Sequence, residues 1–321
     1  WRSKARRLQI QPALMARSLQ EGLGGACVLT KTRHDMGRMM QASAVFAPRD
    51  LVLTEPPVLR GSCSIDVCPG CGCPRKSSGR STASVLRRCG GPKDCAWAAA
   101  EEDVALAPAI AWHLSTSAKV LSRGSAADGG NGVRVCCLLA LVIQAAANVS
   151  LKAWLLGHLR PAGDGAVASN RAAACTSGMP GATTGPHGES TLSYARLFAR
   201  FVPLDVSELN HLLLVLQTNL FTIDECSIGI YASACLIEHS CRPNARVSVA
   251  GPGALLSVHA TRRIAVSESV SFSYIDEEDW LARAPAQQRR ARLHRELGFY
   301  CQCSACRLEE GIECESSQSS S

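Results

Sequence analysis

Residues 235–276 read CLIEHSCRPNARVSVAGPGALLSVHATRRIAVSESVSFSYID, and the fold of the chain is best approached from this stretch. β-Branched and aliphatic residues alternate with other residues at 246–250, 254–260 and 270–274, and this pattern predicts three short strands. The Gly-Pro-Gly sequence at 251–253 predicts a turn between the first two strands. Polar and sulfur-containing residues flank the strands on both sides, so the two ends are where a functional site is expected.

Two motifs define these ends. The first is His239-Ser240-Cys241-Arg242-Pro243-Asn244, and the second is Ser273-Tyr274-Ile275-Asp276. The pair resembles the signature of SET-domain lysine methyltransferases, in which an Asn-His-Ser-Cys-x-Pro-Asn box precedes a strand that carries a tyrosine. Either motif alone is weak, but their order, their separation and the following Cys301-x-Cys303-x-x-Cys306 make the resemblance specific. It implies a mainly β fold with α insertions, namely the SET-domain β-fold of small curved sheets with a pseudoknot.

An earlier part of the chain extends the resemblance. Residues 37–42 read GRMMQA and resemble the Gly-x-Gly-Leu-x-Ala turn that opens a SET domain, with Met39 in place of the second glycine. Two strands and a Glu-x-Pro stop at Glu55 are expected to follow. A cysteine-rich segment then separates this opening from residues 191–276, so the layout resembles the SET and MYND domain (SMYD) lysine methyltransferases, in which a MYND zinc finger splits the SET domain.

The resemblance implies a domain organisation for the whole chain. We expect a basic N-terminal segment (1–30), the first SET part (31–60), a degenerate MYND-like zinc finger (61–120), a helix and low-complexity linker (121–190), the SET core (191–280), a post-SET zinc site (281–308) and a disordered tail (309–321). The basic segment is expected to be a surface helix or a disordered end, with a transit-peptide remnant as the alternative.

Composition limits the class of protein. The 321 residues include 17 cysteines, are 46% hydrophobic and carry a net charge of +7. Without a hydrophobic signal stretch, reduced cysteines that hold zinc in the nucleus or cytoplasm are favoured over a secreted disulfide framework. The apolar run at 135–143 is too short to span a bilayer and predicts a buried helix, so no membrane association is expected. No finger has the regular Cys-Cys-His-His spacing of a DNA-binding protein, so no direct contact with nucleic acid is expected.

The closing cysteines predict a zinc site. Three thiolates at Cys301, Cys303 and Cys306 leave a tetrahedral zinc one ligand short, and the resemblance supplies Cys241 of the box as the fourth. The alternative is that these thiols are free or locally paired. The basic run at 289–292 is interpreted as a solvated helix face.

The MYND-like segment predicts a second cysteine site. Cys68-x-x-Cys71 is a zinc knuckle, and Cys89 with Cys95 would supply the other pair of ligands. A MYND finger holds two ions and ends in His-x-x-x-Cys, whereas here Ser117 follows His113 at that spacing. We therefore expect one ion in this segment rather than two.

The resemblance also implies the methyl-transfer residues. Tyr274 matches the tyrosine of the lysine channel, whose hydroxyl orients the amine and the methyl group of S-adenosylmethionine. The cofactor contacts carried over from the family are, by position in this chain, Gly37, Arg38, Met39, Asn219, Glu238, His239, Tyr274 and Phe299. Glu238 stands where the family has asparagine, so it can accept a hydrogen bond from the cofactor's ammonium but cannot donate one to its carboxylate.

Several of these residues also have a structural interpretation. Asn219 at a helix end would be a C-cap, Phe299 would pack around zinc, and Asn244 would hold the crossing of the box and the tyrosine strand. The function expected is S-adenosylmethionine-dependent lysine methylation of a protein, histone or non-histone, with zinc as a structural ion. The alternative is a catalytically weakened SET/MYND scaffold or transcriptional corepressor that binds partner peptides, among them a proline-rich peptide at the MYND-like region.

Overall fold

The structure is a computed structural model, and it describes the chain over these ranges: 28–33, 37–76, 88–89, 91, 95–122, 126–159, 191–251, 253–275, 280–297 and 299–311. The expected basic segment up to residue 27, the low-complexity residues 160–190 and the tail beyond 311 lie outside the described residues.

Strands and helices come in blocks along the described part: six strands, six α-helices, six further strands and two closing α-helices. The strands are β1 Val28–Arg33, β2 Gly37–Ala42, β3 Leu51–Glu55, β4 Leu59–Ser62, β5 Arg75–Lys76, β6 Arg88–Cys89, β7 Phe221–Asp224, β8 Ser227–Ile230, β9 Glu238–His239, β10 Ala245–Ala250, β11 Leu255–Ala260 and β12 Ser271–Phe272. The α-helices are α1 Ala96–Glu101, α2 Ala107–Ser122, α3 Ala126–Ala147, α4 Val149–His158, α5 Thr191–Phe198, α6 Val206–Thr218, α7 Ala286–Leu297 and α8 Ser304–Glu309. Two 3-10 turns lie at Ala234–Leu236 and Trp280–Arg283.

The strands form small sheets. β1 pairs with β2 and β5 with β6, both antiparallel, and β9 pairs in parallel with β12. Two sheets have three strands, in the orders β4-β8-β7 and β10-β11-β3. The predicted strands at 246–250 and 254–260 are confirmed as β10 and β11, and less exposed residues alternate with more exposed ones along both. The third is shorter than predicted, because only Ser271–Phe272 pair in a ladder.

The chain divides into two compact units. The first unit contains the described residues within 55–232 and 249–256. Its core is built on α3, whose residues 136–145 are almost entirely buried and confirm the predicted buried helix. The sheet β4-β8-β7 packs against α3 at Gly61, where a Cβ would lie 2.3 Å from the Cys137 carbonyl oxygen, so only glycine allows this close approach.

The second unit contains the described residues within 21–54, 233–248 and 257–321. It includes the β1-β2 hairpin, the β9-β12 pair and the helices α7 and α8. A cluster of Ile275, Ala284, Ala286, Leu293, Cys301 and Cys306 forms a local core under α7 and α8. This unit brings together the two motifs with which the sequence analysis began.

One local prediction is wrong. Residues 37–42 form strand β2 rather than a turn, with Gly37 opposite Arg33 and Ala42 opposite Val28. Met39 and Met40 stand where a Gly-x-Gly-Leu turn has glycine and leucine, and both are 2% exposed. Two adjacent buried methionines suit a strand that is covered on both faces, whereas a turn would expose them.

A helix can cross a membrane only if it is long and apolar enough. Among the described residues, no single helix has the length and apolar composition to cross a bilayer. One pair, Val133–Ala147 with Val149–His158, passes that test only when its two helices are taken together, and they are bent by 111°.

Candidate functional site

Four cysteines of the second unit form one group, which we call the terminal group: Cys241, Cys301, Cys303 and Cys306. Their sulfur atoms all lie within 4.8 Å of one another. Cys241 Sγ is 3.9 Å from Cys301 Sγ and 3.6 Å from Cys306 Sγ. The predicted grouping of the box cysteine with the closing trio is therefore confirmed.

The terminal group fits a zinc ion. Zn–S bonds of about 2.3 Å in a tetrahedron place sulfur atoms about 3.8 Å apart, which matches the observed separations. The thiols also titrate as a set: hydrogen bonding raises the pKa of Cys241, chiefly through Cys301, and lowers the pKa of Cys303, chiefly through Cys241. A bound zinc would hold all four as thiolates.

Two arginines from α7 support this group, and the prediction that they form a solvated face is wrong. Arg289 and Arg290 are 5% and 9% exposed. Arg289 donates to Cys306 Sγ at 3.4 Å and pairs with Glu309 at 2.8 Å, while Arg290 donates to the Cys301 carbonyl at 2.6 Å. They share a helix face with Leu293, and this spacing is the signal in the sequence that the interpretation missed.

A histidine joins the terminal group to the tyrosine motif. The Tyr274 backbone N–H donates to His239 Nδ1 at 2.9 Å. Burial lowers the pKa of His239 to about 4, so the ring is neutral at neutral pH, and its proton is therefore on Nε2. Nε2 lies 3.2 Å from Cys241 Sγ and donates to it. His239 thus connects the position of Tyr274 to the sulfur cluster.

An aromatic cluster surrounds this histidine. The His239 and Tyr274 ring centres are 5.3 Å apart, and Phe299 lies 6.1 Å from His239 and 6.2 Å, edge-on, from Tyr274. The Phe272 ring lies at a tilt to the Tyr274 ring, with its centre 4.9 Å away. The structure therefore brings together three of the predicted site residues, His239, Tyr274 and Phe299.

The tyrosine hydroxyl points inward. Although 40% of Tyr274 is exposed, its hydroxyl donates to the Ile237 carbonyl at 2.6 Å. Burial around the oxygen, with smaller effects from Cys235 and Glu238, raises the pKa of Tyr274 above its usual value. The group is therefore a phenol at neutral pH, which can orient a ligand by hydrogen bonding but cannot act as a strong base.

The remaining predicted cofactor residues of this unit lie on two strands. Glu238 is half-buried at the start of β9, next to His239, and pairs across the parallel ladder with Ser271. Gly37, Arg38 and Met39 lie in β2. The Met39 side chain is buried, and its sulfur accepts a hydrogen bond from the Ser269 hydroxyl at 3.5 Å, so Met39 packs inward.

Two asparagines have structural positions. Asn219 lies in the first unit, where it is the C-cap residue of α6 and its side-chain amide donates to the Val215 carbonyl at 2.8 Å. Its cofactor contact stays a prediction. Asn244 is 1% exposed, donates to the Ser269 carbonyl at 2.7 Å and accepts from the Ser271 N–H at 2.8 Å. Asn244 therefore fastens the box to the strand that leads to Tyr274.

A second group of four, the finger group, lies in the first unit: Cys68, Cys71, Cys89 and Cys95. These sulfur atoms also lie within 4.8 Å of one another, and Cys68–Cys95 and Cys71–Cys89 are each 3.5 Å apart. The four predicted cysteines therefore lie together as a group that could hold one zinc, and their role as ligands stays a prediction. Beside it, Glu101 pairs with Arg75 and accepts from the Trp97 ring N–H.

His113 and Ser117 lie where a second finger ion would be expected. Both are fully buried on α2, and among the residues that the structure describes neither belongs to a group of metal-ligating side chains. Burial lowers the pKa of His113 to about 4, and the ring packs edge-on against Trp97 at 5.2 Å. His113 is therefore a neutral core residue of the first unit.

Comparison with known proteins finds sequence similarity over part of the chain. No family model matches the chain. A stretch of 97 residues is 33% identical to human histone-lysine N-methyltransferase SMYD3. This stretch makes up 29% of this chain and 21% of that protein. Protein-lysine N-methyltransferase SMYD4 of the mouse is 37% identical over 81 residues, and histone-lysine N-methyltransferase SET5 of Yarrowia lipolytica is 32% identical over 96. The chain matches only about a fifth or less of the mammalian relatives' lengths.

Just under a third of the chain is therefore similar in sequence to stretches of lysine methyltransferases of the SMYD and SET5 kinds. The structure adds two cysteine groups that could each hold a zinc ion. A solved structure of Rubisco LSMT bound to AdoMet aligns with 90% of this chain and 56% of its own, at 12% identity and a TM-score of 0.40, a likeness too remote to support a further conclusion.

Proposed function

We propose that this chain is a protein-lysine N-methyltransferase that uses S-adenosylmethionine. The observation that carries the proposal is the cluster of His239, Tyr274 and Phe299 built directly on a four-cysteine group. The relatives that share 32–37% identity with it are named as lysine methyltransferases. A tyrosine whose backbone is held by a neutral histidine, in aromatic surroundings, suits methyl transfer, because that reaction needs alignment and a dry passage rather than a nucleophile.

The residues present fit the cofactor with one exception. The aromatic rings and the inward-pointing Tyr274 hydroxyl suit a ligand that carries an adenine ring and a cation. Glu238 can accept from its ammonium group but repels its carboxylate. S-Adenosylmethionine would supply an activated methyl group, so no catalytic metal is needed and zinc is structural. Glu238, His239 and Phe299 would hold the cofactor in this scheme.

The work left to the protein is positioning. The His239 ring fixes the Tyr274 backbone, and the Ile237 carbonyl fixes the direction of the Tyr274 hydroxyl. A phenol oxygen kept un-ionised still has a free lone pair with which to orient a lysine amine. The terminal group keeps His239 in place through Cys241. The proposal is therefore that methyl transfer depends on the terminal group, although its four cysteines do not contact the substrate.

The test is transfer of a radiolabelled methyl group from S-adenosylmethionine to core histones and to a lysine peptide array by the zinc-loaded chain. We expect transfer by the wild type and about a 10²-fold lower rate for Tyr274→Phe, with cofactor affinity changed only a few-fold. The control is Tyr300→Phe, because Tyr300 is 57% exposed and stacks on His294. An unchanged rate in Tyr274→Phe would reject the proposed site.

A second candidate function is a scaffold or corepressor that binds partner peptides without methylating them. Two observations favour it: Glu238 in place of asparagine, and β2 in place of the glycine turn, with Met39 filling the space. The substitution Glu238→Asn separates the two functions. Activity in the wild type supports the enzyme, whereas activity that arises only in Glu238→Asn supports the scaffold.

Finer features belong to the same proposal. The substrate is a lysine-bearing protein segment, with histones as the first class to test because SMYD3 and SET5 are named for them. We further propose that the finger segment binds a proline-rich peptide and that the protein is located in the nucleus and the cytoplasm. Pull-down with a proline-rich peptide library and fluorescence imaging of the tagged chain test these two features.

A further inference from the structure

Three thiols converge in the first unit outside both cysteine groups. Cys63 follows β4, Cys226 lies between β7 and β8, and Cys137 lies in α3. Ser62 pairs with Ser227 in the antiparallel ladder, so the next residues outward, Cys63 and Cys226, face each other. The Cys63 N–H donates to the Cys226 carbonyl at 3.0 Å, which is one of the two bonds of a hydrogen-bonded pair; the Cys226 N–H donates to a side-chain carboxylate instead.

The side chains of this pair lie on the face that α3 covers. Residues directly opposite in an antiparallel pair point to the same face, and Gly61, two residues before Cys63, shares it. That face meets α3, because a Cβ at Gly61 would lie 2.3 Å from the Cys137 carbonyl oxygen. Cys137 Sγ in turn donates to the Cys226 carbonyl at 3.3 Å. The three thiols therefore meet at one edge of the sheet.

The three thiols differ in exposure and acidity. Cys63 and Cys137 are 0% and 1% exposed, while Cys226 is half-buried and reachable from solvent. Hydrogen bonding with Cys137, and then with Cys226, lowers the pKa of Cys63 to about 7 against the opposing effect of burial. Burial raises the pKa of Cys226 to about 11. Cys63 is thus the thiol of the three with substantial thiolate character near neutral pH.

Zinc does not account for these thiols. Over the ranges that the structure describes, only the terminal and finger groups bring three or more ligand atoms within 4.8 Å of one another. Facing residues in a hydrogen-bonded antiparallel pair have Cα atoms about 5.5 Å apart, within the range of about 4.4–6.8 Å that a disulfide spans. Cys63 and Cys226 therefore have the arrangement of a reversible thiol pair, and Cys137 is a third thiol that forms hydrogen bonds with this pair.

We propose that Cys63 and Cys226 are a peroxide-reactive pair that closes to a reversible disulfide. The Cys63 thiolate attacks a peroxide oxygen, the O–O bond breaks, and hydroxide leaves with a sulfenic acid formed on Cys63. The Cys226 sulfur then gives up its proton and attacks the Cys63 sulfur, the S–O bond breaks, and water leaves. Together the two thiols lose two electrons, and one hydrogen peroxide is reduced to two waters.

The test is a disulfide map of the zinc-loaded full chain after treatment with hydrogen peroxide. Free thiols are blocked with N-ethylmaleimide before digestion, and linked peptides are identified by mass spectrometry. We expect a Cys63–Cys226 linkage that dithiothreitol reverses, with zinc content unchanged. In Cys226→Ser the linkage is absent and dimedone traps the sulfenic acid on Cys63, whereas Cys136→Ser, an adjacent buried thiol on α3, keeps the linkage.

Other outcomes overturn the proposal. A Cys63–Cys137 linkage would make the wrong residue the partner, and zinc release with oxidation of the terminal or finger group first would place the reactive thiols elsewhere. A Cys63 that stays reduced under conditions that oxidise other cysteines would reject its role as the attacking thiol. The map of the wild-type chain decides between these outcomes even if a serine variant folds poorly.

Discussion

The terminal group and the finger group each consist of four cysteine thiols, but the surroundings of the two groups differ. The finger group lies beside an ion pair, Arg75 with Glu101, and the ring of Trp97. The terminal group draws its ligands from the box and from the chain's closing trio, and His239 links it to Tyr274. Two sites with the same metal-binding chemistry can therefore differ in how much the proposed activity depends on them. A zinc in the finger group would stabilise its own segment, whereas a zinc in the terminal group would also position the proposed methyl-transfer residues.

The largest expected effect comes from removing one ligand from each group. Cys303 and Cys71 are matched because both are half-buried. We expect Cys303→Ser and Cys71→Ser each to lower bound zinc by one equivalent, measured by atomic absorption. Only Cys303→Ser should reduce methyl transfer, by about 10²-fold, because misplacing a positioning group by about 1 Å costs that much. Equal losses of activity in the two variants would erase the distinction between the groups.

A smaller effect is expected from the arginine that supports the terminal group. Arg289→Gln removes the donor to Cys306 Sγ and the buried positive charge beside the thiolates. We expect the zinc dissociation constant of this group to rise about 10- to 100-fold, measured by competition with a chromophoric chelator. Arg75→Gln is the counterpart in the first unit, because its guanidinium pairs with Glu101. Zinc affinity that falls equally in both variants would show that the effect is general destabilisation.

The smallest effect concerns stability and pH in the first unit. His113 has a pKa of about 4, below the usual 6.5 of a histidine in the unfolded chain. Its contribution to stability is therefore complete above about pH 6.5 and is lost as pH falls toward 4. We expect His113→Phe to remove about 1 kcal/mol of the fall in unfolding free energy between about pH 7.5 and pH 5.5, measured by urea denaturation. A pH dependence identical to the wild type would mean that His113 is not the neutral core residue described.

Much of this site was predictable because its signals are local or carried by the resemblance. The alternation of aliphatic with other residues predicted strands β10 and β11. The resemblance to a known family predicted that Cys241 lies with Cys301, Cys303 and Cys306. These features depend on neighbours in sequence or on motifs with fixed spacing.

Other features depended on contacts that no local pattern encodes. Arg289 and Arg290 were interpreted as a solvated face because a run of arginines usually is. Both are buried, because Arg289 reaches the buried sulfur of Cys306 and each arginine also pairs with a glutamate at the surface. The GRMMQA segment was interpreted as a turn, and pairing with β1 made it a strand. Cys63 and Cys226 are far apart in sequence, and only the register of β4 with β8 shows that they face each other.

The most direct measurement is calorimetric titration of S-adenosylmethionine into the zinc-loaded chain, repeated after the terminal group is disabled by Cys303→Ser. The account predicts saturable binding to the wild type and to Cys71→Ser, with binding lost or strongly weakened in Cys303→Ser. No detectable binding to the zinc-loaded wild type at millimolar cofactor would contradict it.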